Sequence, residues 1–293
     1  MSRLAYSIVI ATYERADALR DALASVDRQS RLPEQVIIVD SSAGAESEAV
    51  SRECRLPVIY QRAERPSAAV QRNQGFRAVT TPLVAFIDDD VVLAPDTFEK
   101  LCSVFERYDD TGGVAARMNG AEHPVPNRKL HQYYRLQAGF DHRTYGGRLF
   151  GAAINCFPSY SAEPDELIPA DWLNLGCVLF RSDLFAEELF PLFEGYSYGE
   201  DVHLSARIGR KARLYFHATA RYDHFPSMSP AKRSFFKYAR MSARHRRLIA
   251  RDIQGLRGWE LCWKDALHRL FVTAFLLRTR PAGWLRQIAG NWL

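Results

Sequence analysis

Three consecutive aspartates, Asp88, Asp89 and Asp90, follow the apolar run Leu83–Ile87. A short run rich in strand-forming residues predicts a buried strand, and its carboxyl end would lie at the sheet edge where α/β folds bind ligands. Three crowded negative charges repel one another unless a cation neutralises them. Carboxylate oxygens suit Mg²⁺ or Mn²⁺, ions that commonly bridge to the phosphates of a substrate. The triplet therefore indicates a metal–diphosphate site, with an acidic turn or helix cap as the alternative.

The residues before the triplet alternate between strand and helix patterns. Apolar strands are predicted at 7–11, 35–39, 58–60 and 83–87, with helices at 16–29, 46–52 and 67–79 between them. This alternation predicts a mainly parallel sheet with helices on both faces. Thr12, Asp40 and the aspartate triplet follow strands, so we expect them to converge on one edge of the sheet.

The second half of the chain has a less regular pattern. A helix is predicted at 96–108 and a strand at 114–118, whereas 119–169, rich in Pro, Gly, Tyr and His, predicts long loops over the site. The pattern then predicts strands at 172–180 and 213–216, helices at 183–190 and 201–210, and a loop or short strand that contains His224.

Composition limits the class of protein. The chain has 293 residues, of which 47% are hydrophobic and 25% charged, which is typical of a soluble globular protein. No export signal pattern or apolar stretch of membrane-spanning length is apparent. The five scattered cysteines form no CxxC pair, so we expect reduced thiols in a cytoplasm and no zinc site.

The C-terminal region is strongly basic. Residues 229–293 carry fourteen Lys or Arg and three acidic residues, a balance of +11. Helical apolar spacing over 259–277 and 284–293, with tryptophans beside arginines, predicts amphipathic helices that meet an anionic membrane surface. Docking on the rest of the chain and a dimer contact are the alternatives. No nucleic-acid-binding motif is present, so nucleic acid is not an expected partner.

Five segments resemble the family 2 nucleotide-sugar glycosyltransferases, which have a GT-A fold. They are residues 7–15, 38–42, 71–75, 86–90 and 198–204. The resemblance covers roughly residues 5–225. It implies an α/β, Rossmann-like GT-A fold with a mainly parallel sheet, flanking helices and a C-terminal amphipathic helical appendage. The expected domains are 1–228, with a nucleotide-sugar-binding half (1–118) and an acceptor-binding half (119–228), and a basic helical region (229–293).

The resemblance also implies roles for individual residues on the donor side. Asp90 would ligate Mg²⁺ or Mn²⁺, Asp88 would contact the ribose or a metal-bound water, and His224 would reach the metal or the diphosphate. The residues expected to bind the nucleotide-sugar are Thr12, Tyr13, Glu14, Arg15, Asp40, Arg72, Asp88 and Asp89. The alternatives are a solvated helix charge for Arg72 and a loop or surface histidine for His224.

On the acceptor side, Asp201 matches the general base of inverting members. A carboxylate within hydrogen-bond reach of the acceptor hydroxyl can take its proton as it attacks. Glu200 would orient the acceptor or hold Asp201; alternatively, both are favourable charges in the first turn of a helix. The preceding loop 195–199, rich in aromatic residues and glycine, favours a site. Tyr198 and Trp172 are candidates for stacking on a sugar, and we expect Trp172 to be in the core.

The function implied is a metal-dependent, inverting glycosyltransferase. Ser41 stands where uracil-binding members often have a second acid, so the donor can be a UDP-, GDP- or dTDP-sugar. No Gln-x-x-Arg-Trp segment follows His224, which favours transfer of one sugar at a time. The expected acceptor is a glycan or lipid-linked glycan in bacterial surface polysaccharide assembly, at the inner face of the cell membrane.

Two other functions compete with this interpretation. A sugar-phosphate nucleotidyltransferase would need a Gly-rich loop with Arg and Lys after the first strand, and 12–15 is not such a loop. A non-catalytic GT-A scaffold or binding subunit of a polysaccharide synthesis complex would not need both Asp90 and Asp201.

Overall fold

The computed structural model describes residues 3–121, 123–162, 165–193, 198–226 and 234–292, apart from the side chains of 187 and 188. The predicted domain boundary at 228/229 and residues 195–197 of the predicted aromatic–glycine loop lie outside these ranges. The main feature is a nine-stranded sheet.

The strands are mostly short apolar runs. The strands of this sheet are β1 Tyr6–Thr12, β2 Gln35–Asp40, β3 Val58–Arg62, β4 Leu83–Asp88, β5 Val91–Leu93, β6 Thr111–Met118, β9 Leu167–Ala170, β10 Cys177–Arg181 and β11 Arg213–His224. Their order across the sheet is β3-β2-β1-β4-β10-β6-β11-β5, and β9 also pairs with β11. A separate two-stranded hairpin consists of β7 Leu149–Phe150 and β8 Ile154–Asn155.

Helices cover both faces of the sheet and form the C-terminal region. They are α1 Ala16–Asp27, α2 Glu46–Glu53, α3 Ala68–Phe76, α4 Thr97–Arg107, α5 Arg128–Ala138, α6 Ser182–Glu188, α7 Glu200–Ile208, α8 Phe235–Asp252, α9 Gly258–Thr279 and α10 Trp284–Trp292.

The sheet is parallel in its N-terminal half and mixed beyond it. β1 pairs in parallel with both β2 and β4, whereas β10 is antiparallel to β4 and β6. The chain winds outward from β1 through β2 to β3 and then returns to place β4 on the other side of β1. Strand order therefore reverses between β1 and β4, and ligands of open α/β sheets bind at such a reversal.

Successive side chains of the central strands point to opposite faces, and both faces are buried. On one face Ile8 and Ile87 pack with α1, α2 and α4; on the other, Val9 and Phe86 pack with α3, α6 and α7. Burial on both faces explains why these strands read as continuous apolar runs. The buried residues on the face of Val9 and Phe86 also include Ile249 of α8.

Several elements differ from the sequence-based expectation. Strands β5, β7, β8 and β9 were not predicted, and β11 continues as one strand to His224. Helix α5 lies within the segment expected to be long loops. The Asn127 side chain accepts the Leu130 N–H at its start, and Gly139, with φ 78°, ends it. The strand predicted from Trp172 begins only at Cys177; Trp172 lies before it and is 1% exposed, which confirms its expected place in the core.

The C-terminal region is helical, as expected, and α8 joins the core through Ile249 and Ala250. Within the described ranges, no helix combines the length and apolar character that crossing a membrane would need.

Candidate active site

The aspartate triplet lies in the turn between β4 and β5, beside the end of β1. Asp88 ends β4, and Thr12 ends the neighbouring β1. β11 runs antiparallel to β5 and pairs His224 with Val91, the residue directly after the triplet. Strand pairing therefore brings His224, far away in the sequence, to the aspartates.

Asp88, Asp90 and His224 form a potential metal-binding group. One ligand atom from each of the three lies within 4.8 Å of the others, and His224 Nε2 is 3.2 Å from Asp90 Oδ1. Burial opposes ionisation of Asp90, but the hydrogen bond and charge of His224, together with Arg15, lower the pKa of this carboxyl. Two carboxylates and one imidazole fit Mn²⁺, and they fit Mg²⁺ less naturally because of the imidazole.

Asp89 points away from this group and into the protein. Thr12 Oγ1 donates to its Oδ2 at 2.8 Å, and Arg15 Nη1 donates to its Oδ1 at 2.9 Å. Arg15 Nη1 also donates to Asp90 Oδ2 at 2.8 Å. Burial raises the pKa of Asp89 to about 6, although Arg15 and Thr12 act to lower it. In this arrangement Asp89 and Arg15 hold the turn that presents Asp90.

The loop after β1 has a strained backbone that the neighbouring loop supports. Glu14 has φ 53°, a conformation that residues other than glycine rarely adopt. Its N–H donates to Ser42 Oγ at 2.7 Å, and its carboxylate accepts the Ala43 N–H at 2.7 Å. Tyr13 is exposed beside it. Glu14 and Tyr13 therefore lie in the loop between β1 and α1, held by the loop that follows β2. Their contact with a nucleotide stays a prediction.

Asp40 is fully buried at the end of β2. Its Oδ1 accepts the Ser42 N–H at 2.7 Å, and its Oδ2 accepts the Tyr60 hydroxyl at 2.6 Å. Both oxygens are thus used within the protein, where they shape the loop that supports Glu14. Contact of Asp40 with a nucleotide stays a prediction.

Arg72 joins the end of β4 to the first turn of α7. It is 8% exposed, and it donates from Nη2 to Asp88 Oδ1 at 2.7 Å and from Nη1 to Glu200 Oε1 at 2.5 Å. The solvated-helix alternative for Arg72 is therefore wrong. Burial disfavours the guanidinium charge, but Asp88 and Glu200 outweigh this effect and raise the pKa of Arg72.

Asp201 lies in the first turn of α7, next to Glu200. Gly199 precedes them with φ 77°, a conformation that favours glycine. A Cβ there would also lie 2.7 Å from Ile249 Cδ1 of α8, so the end of the Ile249 side chain would have to move. Asp201 Oδ1 accepts the Val202 N–H at 2.8 Å. Burial raises the pKa of Asp201 to about 6, although the Val202 N–H and Arg72 lower it. A carboxylate with this pKa is ionised at neutral pH and basic enough to accept a proton.

One cavity of about 330 Å³ is lined by Asp88, His224, Arg72, Glu200 and Asp201. The other residues of the predicted site do not line it; they are Thr12, Tyr13, Glu14, Arg15, Asp40, Asp89 and Asp90. The cavity is also lined by residues for which the sequence analysis predicted no role: Asn155, Asn174, Tyr222, Tyr238, Arg246 and Ile249. The last three belong to α8. In the sequence, the only indication of a role for α8 is its polar and aromatic residues. They line the cavity because α8 packs on α7.

Comparison with known proteins places the chain among glycosyltransferases. The model of glycosyl transferase family 2 matches residues 7–164, more than half of the chain. The uncharacterized glycosyltransferase YwdF of Bacillus subtilis (strain 168) is 32% identical over 133 residues. That match covers 43% of this chain and 49% of the relative, so the similarity spans about half of the relative's length.

Solved structures share the fold at low sequence identity. Residues 1–349 of S. aureus TarS match with a TM-score of 0.54 at 16% identity, over 96% of this chain and 74% of that one. GalNAc-T7, crystallised with UDP, GalNAc and Mn²⁺, matches with a TM-score of 0.57 at 16% identity, over 82% of this chain and 48% of that one. These likenesses confirm the expected GT-A fold.

Proposed function

Because the chain belongs to glycosyl transferase family 2, we propose that it is a metal-dependent, inverting enzyme that moves one sugar from a nucleotide-diphospho-sugar to a hydroxyl of a glycan or lipid-linked acceptor. The observation that carries the proposal is the convergence of Asp88 and His224 with Asp201 on one cavity. A transferase of this kind needs a site for the donor diphosphate and a base for the acceptor, and these residues supply both.

On the donor side, Asp88, Asp90 and His224 would hold Mn²⁺ or Mg²⁺. The metal would stabilise the negative charge that develops on the leaving diphosphate. Arg15 neutralises part of the charge of Asp90 and fixes its orientation. Tyr13 and Glu14, in the loop after β1, would contact the nucleotide. The GalNAc-T7 crystals, with UDP and Mn²⁺ bound to a protein of the same fold, are consistent with this assignment.

On the acceptor side, Asp201 would accept the proton of the attacking hydroxyl. The hydroxyl oxygen forms a bond to the anomeric carbon as the bond from that carbon to the diphosphate breaks. One such displacement inverts the configuration of the anomeric carbon. Arg72 holds Glu200 next to Asp201 through its ion pair and so keeps the wall of the site in place. Transfer of a single sugar is proposed on the sequence, which has no Gln-x-x-Arg-Trp segment after His224.

We further propose that α9 contacts an anionic membrane surface and that the acceptor is lipid-linked, as in bacterial surface polysaccharide assembly. Trp259, Trp263, Leu270 and Leu277 are all exposed, and their spacing places them within one narrow stripe of the helix. Exposed tryptophans with arginines nearby suit the interface between lipid and water. The opposite face of α9, which includes Leu261 and Leu276, is buried.

Nucleotide titration tests the donor site. UDP, GDP, dTDP and CDP would each be titrated with and without Mn²⁺ against the wild type and Asp90→Ala. We expect one nucleotide to bind in a Mn²⁺-dependent way, and this binding to be lost in Asp90→Ala. Failure of folded wild-type protein to bind any of the four would overturn the donor site and favour the non-catalytic scaffold.

A further inference from the structure

Arg246 is a cation of the active-site cavity that no acidic residue of the described ranges neutralises. The other arginine that lines the cavity, Arg72, is paired with Asp88 and Glu200, and His224 contacts Asp90. Among the described residues, the Arg246 side chain makes one hydrogen bond, from Nη2 to Asn291 Oδ1 at 3.1 Å, and no ion pair. The Arg246 Nε is buried and has no hydrogen-bond partner among the described residues.

Arg246 and Asp201 line the same cavity, and the segments that carry them, α8 and the start of α7, are in contact. The N–H of Tyr198 is 3.3 Å from Nδ1 of His245, the neighbour of Arg246 on α8. The rings of Tyr198 and Tyr238 meet edge to face with centroids 5.9 Å apart, and Gly199 lies against Ile249. These contacts join α8 to the start of α7. In the proposed reaction, the part of the cavity that α7 and α8 form faces the acceptor.

The C-terminal helix α10 fixes the position of the guanidinium. Asn291, whose side-chain oxygen accepts from Arg246, is 3% exposed. Its main-chain carbonyl oxygen accepts from Arg269 Nη1 at 2.5 Å. Arg269 in turn donates to Asp265 Oδ2 at 3.0 Å. A guanidinium held in this way loses little conformational freedom when it binds a partner, and its planar donors match phosphate and carboxylate oxygens.

We infer that Arg246 binds an oxyanion, a phosphate or a carboxylate, that the acceptor carries near its attacking hydroxyl. This inference rests on the proposed function and narrows its acceptor class to anionic molecules. A partly buried cation without a counter-charge is unfavourable in the free protein, and an oxyanion of the acceptor would remove that cost. The acceptor specificity then depends on the C-terminal helices, through Asn291.

Binding of small acceptor fragments tests the inference. The donor site is first saturated with Mn²⁺ and the nucleotide identified by titration, so that added anions cannot occupy the diphosphate position. Binding of glycerol 1-phosphate is compared with that of glycerol, and binding of methyl β-glucuronide with that of methyl β-glucoside, by NMR titration. The first pair reports a phosphate and the second a carboxylate.

We expect at least one anion to bind roughly tenfold or more tightly than its neutral partner. Arg246→Gln should abolish this preference, Arg246→Lys should retain part of it, and the control Arg244→Gln, an exposed arginine of the same helix, should leave it unchanged. Asn291→Asp keeps Arg246 but places a carboxylate beside it, and should also abolish the preference. This variant provides an independent test if Arg246→Gln does not fold.

Three results would overturn the inference. The first is an equal affinity of the wild type for charged and neutral fragments. The second is a preference that persists in Arg246→Gln. The third is a loss of nucleotide affinity in Arg246→Gln as large as that in Asp90→Ala, which would place Arg246 at the donor diphosphate. A wild type that binds no nucleotide would overturn the proposed function itself and, with it, this inference.

Discussion

His224 Nε2 lies 3.2 Å from Asp90 Oδ1, because β11 ends beside the turn that follows β4. If His224 is a metal ligand, His224→Gln should weaken Mn²⁺ binding by at least the roughly 10- to 100-fold typical of changes around a metal site. Mg²⁺ binding should weaken less, because an imidazole nitrogen suits Mn²⁺ better. Calorimetric titration of each metal in the presence of the bound nucleotide measures both effects.

The matched control is His131→Gln. His131 has the same side-chain exposure as His224 within one percentage point, and its Nε2 is 3.1 Å from an aspartate, Asp141, away from the cavity. This variant should bind both metals as the wild type does. If the two histidine variants lost metal affinity equally, or if neither lost any, His224 would not be a metal ligand.

Asp201 should reduce the stability of the folded protein at neutral pH. Its pKa of about 6 in the folded state lies above the ordinary value of 3.8. Its contribution to stability is therefore greatest below pH 3.8 and is lost as the pH rises through 6. Asp201→Asn keeps an oxygen that can accept the Val202 N–H, and should stabilise the protein by about 1–3 kcal/mol at pH 7, less at pH 4. Urea unfolding at the two pH values measures this difference.

The control for this effect is Asp183→Asn. Asp183 also accepts the N–H of the next residue in the first turn of its helix, at 2.8 Å, but it is exposed. Its substitution should change the stability equally at both pH values. A variant Asp201→Asn that is less stable than the wild type at pH 7 would show that the ionised carboxylate is favourably held.

In wild-type enzyme, kcat should fall as the pH drops below about 6, since the base becomes protonated.

Arg72 should be a major stabilising residue of the site. Arg72→Gln leaves Asp88 and the buried Glu200 without their shared cation, and should cost about 3 kcal/mol, the lower end of the range for such a loss because Asp88 is 30% exposed. Urea unfolding measures the cost. Arg77→Gln, at the end of the same helix, breaks an exposed pair with Glu64 and should change the stability by less than about 0.5 kcal/mol. Similar effects of the two substitutions would contradict the bridging role of Arg72.

The exposed stripe of α9 should carry the membrane contact. Replacing both Trp259 and Trp263 by serine should reduce the partition onto phosphatidylglycerol-containing vesicles roughly tenfold or more. Nucleotide binding should not change, because neither residue lines the cavity. Tyr108→Ser, an exposed aromatic residue at the end of α4, serves as the control in the same sedimentation assay. Binding that is equal on neutral and anionic vesicles, or unaffected by loss of the tryptophans, would argue for another partner.

The N-terminal half of the fold follows from local patterns. Short apolar runs predicted β1, β2 and β4, and the rule that parallel strands end at one edge predicted that Thr12 and the aspartate triplet would converge there. The family resemblance, which rests on short segments in order, supplied His224 and Asp201. The structure brings both to the same cavity as Asp88, although their roles stay predictions.

Other features depend on packing that no local pattern encodes. Asp40 and Asp89 follow strands, as ligand-binding residues do, but the structure turns both inward, where Tyr60 and Arg15 satisfy them. Arg246 lines the cavity only because α8 folds back against α7. This is a contact between segments that are distant in the sequence. Its charge alone does not distinguish it from the other arginines of the basic region.

The central claim is a single displacement with Asp201 as the base, and the configuration of the released sugar tests it most directly. Slow hydrolysis of an α-linked nucleotide-sugar, with water as the acceptor and Mn²⁺ present, would be followed by time-resolved proton NMR. The β-anomer should form first, because a single displacement inverts the anomeric carbon. Asp201→Asn should lower the rate by roughly 10²–10⁴-fold, and Asp183→Asn should not. First formation of the α-anomer would rule out a single displacement.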